Sequence, residues 1–320
     1  MTGFNEMVGR TNVPIPETVS TEIIKQAPQA SVMLNRARKA RMSTKTQKQP
    51  VLSVLPEAYW LAGDTSLKET THAEWGQLTM TAEELAVLVP IPNAVIDDTS
   101  IPLWEEIRPL LVEAIGKKVD QATIFGVDKP ASFPTAVLPG AIAAGNTVVR
   151  GQANGVAPAP ATDLGQDVAK VGQKVAQDGF AINGFAAVPG LQWELIGLRS
   201  AQGVPIYTPS LSEGAPAGLY GYPLNEVLNG AWNPAALTLL AADWTKFVIG
   251  IRQDMTFDLF DQMVISDAAG KVIFNAAQQD SKVMRVVFRC GFQVANPLTR
   301  TTLVGGGSKY PAGAVVPAAA

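Results

Sequence analysis

Three aspartates, Asp254, Asp258 and Asp261, would share one face if their segment were helical, and three carboxylates so placed could hold a divalent cation or divide acid and base roles. The flanking Phe247, Ile249, Ile251, Phe257 and Leu259 instead alternate with polar residues as a strand does, which turns the carboxylates outward into solvent. His72 is the only histidine, so histidine-based triads, two-histidine metal sites and HExxH chemistry are excluded. Cys290 is the only cysteine, which excludes an internal disulfide and a cysteine zinc cluster; in its apolar run it reads as a buried, inert thiol. Residues 305–309, GGGSK, share the composition of a phosphate-binding loop but lack its G-x-x-x-x-G-K-(S/T) spacing and a following helix. Asp97 and Asp98 read as helix-starting residues. No catalytic machinery, metal site or cofactor site is expected, and the chain is not read as an enzyme.

The elements around these residues are more informative. The 320 residues exceed the usual single-domain size, which points to two packed subdomains. Charged residues make up 17% of the chain, against about 25% in ordinary soluble proteins. A surface so poor in charge is expected to be covered by other chains. The net charge of −3 excludes a chain-wide electrostatic grip on nucleic acid. No run approaches the roughly 20 apolar residues of a membrane helix, and the first residues lack the apolar centre of a signal peptide, so synthesis in the cytosol is expected.

Within 83–130, the apolar run from Leu85 to Pro92 predicts a strand covered on both faces. Asp97, Asp98 and Ser100 then predict a helix start, with Pro102 in the first turn. Leu103, Ile107, Leu110, Leu111, Ala114, Ile115, Val119 and Ala122 recur at helical spacing and predict one apolar face, ended by Gly126 and Pro130. Pro109 predicts a bend or break near 107–109. Residues 163–179 predict a second amphipathic helix on Leu164, Val168, Val171 and Val175, capped by Gly179. Residues 51–81 read as a long two-stranded hairpin carrying Tyr59, Trp60 and Trp75, which need something to pack against, either a core of the hairpin's own or another surface. Residues 16–27 and 31–41 have helical character, and Arg36 to Lys48 form a basic run without an acid. Residues 131–161 suit a connector with short strands, and 305–320 have no core-forming pattern and suit a mobile tail or a surface clip.

The order of these blocks resembles the major capsid protein family of tailed bacteriophages with the Hong Kong 97-type fold. The resemblance rests on the polar hairpin ending in a Trp, ELAVLVPIPNAVIDD, the long helix and FGVDKPASFP. INGFAAVPGLQWELIGLRSAQGVPIY with GLYGYPL, LAADWTKFVIGIRQDMTFDLF, and VMRVVFRCGFQVANPL extend it over roughly residues 16–304. The resemblance implies an α+β capsid fold: an N-terminal arm (1–47), an extended hairpin loop (48–81), a peripheral domain (82–140 and 280–304) with a spine helix (102–125), an axial domain (141–279) with a central mixed sheet, and a tail (305–320). It implies a shell of pentamers and hexamers, an icosahedral virion capsid around double-stranded DNA held by non-specific contacts, and no membrane partner. Scaffolding, portal and decoration proteins are its expected partners; the short lead before the first structured segment leaves no room for a fused scaffold.

The expected interface residues are Arg36, Arg38 and Arg41 on the arm, and Tyr59, Trp60, Lys68 and Trp75 on the hairpin. Glu105 and Glu106, as charge partners on the helix, and Tyr207 and Tyr220, beside the axial loop, complete the set, with Pro109 easing the helix bend that such shells undergo. Part of the family joins a hairpin lysine to an asparagine of a neighbour with help from a glutamate. Lys68 matches the lysine, but Asp280 stands near the asparagine position and 281–288 carry no carboxylate or asparagine, so autocatalytic cross-linking is not expected. An encapsulin-type compartment and a soluble β-rich binding protein or enzyme are the alternatives, the first marked by cargo, the second by a stable monomer.

Overall fold

The computed structural model describes residues 31–56, 58, 60, 70–71, 74–99, 102–152, 164–197, 207, 218–267, 269–296, 299 and 308–318. Two sheets organise them. The first has the order β1-β10-β13-β4, where β1 is Arg38–Arg41, β4 is Glu83–Pro92, β10 is Phe247–Phe260 and β13 is Ser281–Val294. β13 runs antiparallel to both β10 and β4, and β1 lies parallel to β10. Strand β4 is therefore an edge with one half-exposed face, not a strand covered on both sides. Leu85, Val87 and Val89 turn inward, while Leu88 is 41% exposed on the other face.

The long helix α3, Leu103–Asp120, packs Leu111, Ile115 and Val119 against Met284, Val286, Phe288 and Phe292 of β13 in a shared core. Its apolar stripe is narrower than the sequence predicts, since Leu110 and Ala114 are exposed. The helix passes through Pro109 without a break. Asp97 and Asp98 do not start it. They end a separate short helix, α2 (Asn93–Asp98), and Pro102 stands at the cap position of α3 without a side-chain cap. Here the Asn93 turn uses the acidic residues first, and Pro102 resets the backbone for the next helix. A π-helical turn, Gln121–Phe125, continues α3, and Gly126 (φ +78°) ends it in the left-handed conformation that glycine adopts without penalty.

The second sheet has six strands in the order β5-β14-β9-β6-β8-β7: β5 Thr147–Val149, β6 Gly184–Ala187, β7 Gly218–Leu219, β8 Tyr222–Glu226, β9 Leu239–Ala242 and β14 Ala312–Val316. It is mixed, with β14–β5 and β6–β8 parallel and the other pairs antiparallel. Helix α5, Leu164–Gln177, lays Leu164, Val168 and Val171 on Val148, Leu239, Ala241 and Val315, as its predicted stripe requires, and Gly179 follows it with φ +86°. The short helix α6 is Leu191–Gly197.

Two expectations fail here for the same reason. Residues 131–161 contain a helix, α4 (Val137–Ala143), besides β5, and the supposed tail supplies β14 to the sheet interior. Both segments are built from Ala, Gly and Val, whose small side chains give little periodic signal yet pack closely where elements approach. A Cβ at Gly313 would lie 2.7 Å from Val171 Cγ1, so α5 can seat only on a glycine.

The expected division of the chain also differs in detail. β10 pairs with β13 rather than joining the six-stranded sheet, and one core cluster runs from Leu111 and Ile115 through Phe288 and Phe292 to Leu240, Ala242, Ala312 and Ala314, so the two sheets share it.

Candidate subunit interfaces

The hairpin pairs β2 (Thr46–Val54) with β3 (Glu74–Thr81) in a two-stranded sheet of its own. Two strands alone are marginal in water, so the root must be clamped. Gly250 and Gly291 face each other across β10 and β13 and leave a flat notch on the sheet face away from the α3 core. Met42 and Met80 fill it with Val248 and Ala82. A Cβ at Gly291 would lie 2.8 Å from the Thr81 carbonyl oxygen, and one at Gly250 would lie 2.4 Å from Met80 Cε. Gln293 Nε2 adds a hydrogen bond to the Thr79 carbonyl at 3.0 Å. The sequence shows these two glycines but not that they face each other.

Beyond the root the hairpin projects Trp75, 67% exposed, with Trp60 fully exposed farther on. Exposed tryptophans of this kind are the usual anchors of protein interfaces. Tyr59 and Lys68 lie outside the described residues.

On the arm, the expected helix over 31–41 is only α1, Val32–Arg36, followed by the edge strand β1. The segment changes type because Val32 and Met33 bury against α3, whereas Ala37 turns extended and lets 38–41 join β10. Arg36 is not free for a neighbour: its Nη2 donates to Asn225 Oδ1 at 2.9 Å. Arg38, Lys39 and Arg41 are exposed along β1. Glu105 is exposed and Glu106 half-buried in the first turn of α3, where carboxylates suit the helix dipole. Tyr207 and Tyr220 donate to the carbonyls of Gly218 (2.8 Å) and Gly165 (3.0 Å), and Tyr220 stays 60% exposed.

The three aspartates do not converge. Asp258 pairs with Arg285 at 2.9 Å, Asp254 accepts from the Met255 N–H, and Asp261 is exposed beyond the strand. Among the described residues no cluster of three metal-ligating side chains forms. Asp280 accepts from Asn93 Nδ2 at 2.6 Å and so closes the turn before β13. Cys290 is buried, and burial pushes its thiol up to about 12. It should resist a thiol reagent such as dithionitrobenzoate in the native protein and react stoichiometrically once the chain is unfolded in guanidinium, as followed by absorbance.

One buried group escapes sequence reasoning entirely. Asp120, wholly inaccessible at the end of α3, accepts from Ser31 Oγ (2.6 Å), Met33 N (3.0 Å), Val32 N (3.1 Å) and Asn229 Nδ2 (2.7 Å). Burial pushes its carboxyl above the ordinary range while these four donors pull it back. An aspartate within a helical repeat reads as solvated; only the fold brings its partners 87 to 109 residues along the chain to it.

The sequence profile of the Phage capsid family matches residues 11–299. A curated relative, the major capsid protein of Staphylococcus phage 80alpha, is 30% identical over 106 residues, which are 33% of this chain and 32% of that protein; the chain thus matches about a third of that relative's length. Two solved structures align nearly end to end. One, from Microbacterium phage Oxtober96, has 32% identity, TM-score 0.79, and covers 98% of this chain and 100% of the other; the second, from Mycobacterium phage Adephagia, has 32% identity, TM-score 0.80, and covers 98% and 99%. The capsid of a native GTA particle shares the fold at 16% identity and TM-score 0.61, over 92% of this chain and 97% of that one. The α+β architecture is thus of the Hong Kong 97 type, and the chain belongs to the phage capsid family, a family of structural shell proteins and not of enzymes.

Proposed function

We propose that this chain is the major head subunit of a tailed phage, assembling through pentamers and hexamers into an icosahedral shell around double-stranded DNA. The observation that carries the reading is the clamped two-stranded hairpin, which holds Trp75 and Trp60 exposed, away from the described core, where a neighbouring chain can cover them. Contacts repeated around five- and six-fold axes close a shell, and many modest interfaces sum to high stability. Arg38 and Arg41 along β1, Glu105 on α3, Trp60 and Trp75, and Tyr220 are the contact residues of this reading; Arg36 acts within the subunit. Synthesis takes place in the bacterial host, and scaffolding, portal and decoration proteins are partners expected of such a shell. DNA inside is held without sequence readout, consistent with the chain's negative charge.

Expression of the full chain, followed by light scattering and negative-stain electron microscopy, tests this. Shells, tubes or capsomer rings are the expected result; a monodisperse monomer that stays so with scaffold added would overturn it. The subunits of such particles are expected to be held non-covalently, since Asp280 stands near the position at which the resemblance puts the linking asparagine and 281–288 carry no carboxylate or asparagine. Particles boiled in detergent should therefore run as a single monomer band on a denaturing gel, and a ladder of multiples would contradict this.

A further inference from the structure

The segment 31–41 is attached to the body by a small set of interactions, all with residues distant along the chain. Helix α1 has five residues, too few to persist alone in water, and β1 adds only four at a sheet edge. One end is held by the Asp120 carboxylate, which takes the Ser31 hydroxyl and the Val32 and Met33 N–H groups and so caps α1 from outside. Ser31 Oγ also accepts from Leu34 N at 3.1 Å. The other end is held by the Arg36–Asn225 bond and the β1 ladder to 248–251. Gly116 makes the approach possible, since a Cβ there would lie 3.2 Å from Ser31 Cβ. Past the strap, Met42 is fixed under the hairpin root.

Among the described residues no cation answers Asp120. The charged side chains nearby point elsewhere: Lys118 pairs with Asp128, Arg36 with Asn225, and Lys117 Nζ lies toward Gly230. A buried carboxylate balanced only by dipoles regains its hydration when the site opens, which offsets the hydrogen bonds lost. Opening the strap also removes Val32, Met33 and Ala37, with Leu34 beside them, from the shared core and Ala40 from the Met42–Met80 cluster, leaving both sheets otherwise intact.

We propose that residues 31–41 form a detachable strap latched by Asp120, which opens while the body of the subunit stays folded. Closed, it fixes Ser31 between the end of α3 and the Asn229 loop and so sets the point from which the preceding chain starts; open, it releases that point together with the outer edge of β10. The strap is thus a switch between a subunit whose arm is aimed and one whose arm is not. Its use in assembly rests on the shell reading above, but its opening does not.

Hydrogen exchange of the full chain by mass spectrometry, paired with brief trypsin digestion, tests the strap. The expected result is that amides of 32–34 and 38–41 exchange through an opening that leaves β9 and β13 protected. Asp120→Ala, which strips four donors of their acceptor, should raise exchange in the strap and cleavage after Arg36 and Arg38 at least tenfold, with β13 unchanged. Ser31→Ala, which leaves α3 untouched, should act in the same direction to a lesser degree and decides the matter alone if Asp120→Ala does not fold. Strap amides that exchange only together with β13, or rates unmoved by Ser31→Ala, would overturn the proposal. Strap opening without shells would count against the shell reading alone, and shells without strap opening against the strap alone.

Discussion

Deleting residues 308–320 is expected to abolish the folded subunit, although the sequence reads 305–320 as a mobile tail or a surface clip. β14 lies inside the six-stranded sheet between β5 and β9, so its loss strips β9 of its ladder on that side and leaves β5 with no partner among the described strands. Ala312, Ala314 and Val315 are fully buried, and Tyr310 packs on Phe247 while its backbone N–H donates to Asp178. Val315 alone contributes about 1.5–3 kcal/mol by burial, and the lost ladder and the opened face of α5 add to it. Together these approach the ~5–15 kcal/mol that holds a typical domain. Circular dichroism and size exclusion should show an aggregated or largely unfolded chain. A deletion variant with the native melting temperature would refute the placement of β14.

Gly291→Ala is expected to spare the fold and destroy assembly. The added methyl meets the Thr81 carbonyl oxygen at 2.8 Å and Met80 Cγ at 2.9 Å, so the backbone of the hairpin root must move. Overpacking of this kind costs about 1–3 kcal/mol, which a domain of this size survives. The hairpin, however, is a long lever on a short base, and a small tilt at Thr81 grows toward Trp75 and Trp60. The error then repeats at every subunit of a shell whose stability is the sum of modest contacts. Gly250→Ala is the control. Its new methyl meets Met80 Cε and Met42 Sδ, the ends of flexible side chains that can move aside, and assembly should persist. Electron microscopy of both variants, with melting curves to show folded subunits, checks the pair; equal assembly by both would remove the notch from the account.

What was readable in advance follows from the range of the forces involved. Helix α5 was legible because Leu164, Val168, Val171 and Val175 repeat every turn and Gly179 marks its end; these are local signals. The outward carboxylates of β10 were legible from alternation. β14 was not, because Ala-Gly-Ala-Val-Val carries no pattern until β5, β9 and α5 surround it. The start of α3 was misread because Asp97 and Asp98 suit a helix start, yet α2 takes them as its last residues. Among interface candidates, exposed Trp75 and Trp60 followed from an unsupported hairpin, whereas Arg36 looked like its exposed neighbours and proved tied to Asn225. The Asp120 latch and the glycine notch depend wholly on residues distant in sequence, and no reading of neighbours could find them.

The core shared by the two sheets has a mechanical consequence. A hinge between them would have to tear apart Phe288, Phe292, Leu240 and Ala314, which lie in one continuous cluster. The subunit therefore behaves as a stiff tile. Any change in the curvature or size of the structure it builds must be absorbed at the margins: in the tilt of the hairpin, in the strap, and in sliding between tiles. Strain spread over so many compliant edges and so rigid a centre favours collective change of the whole lattice over the yielding of any single subunit.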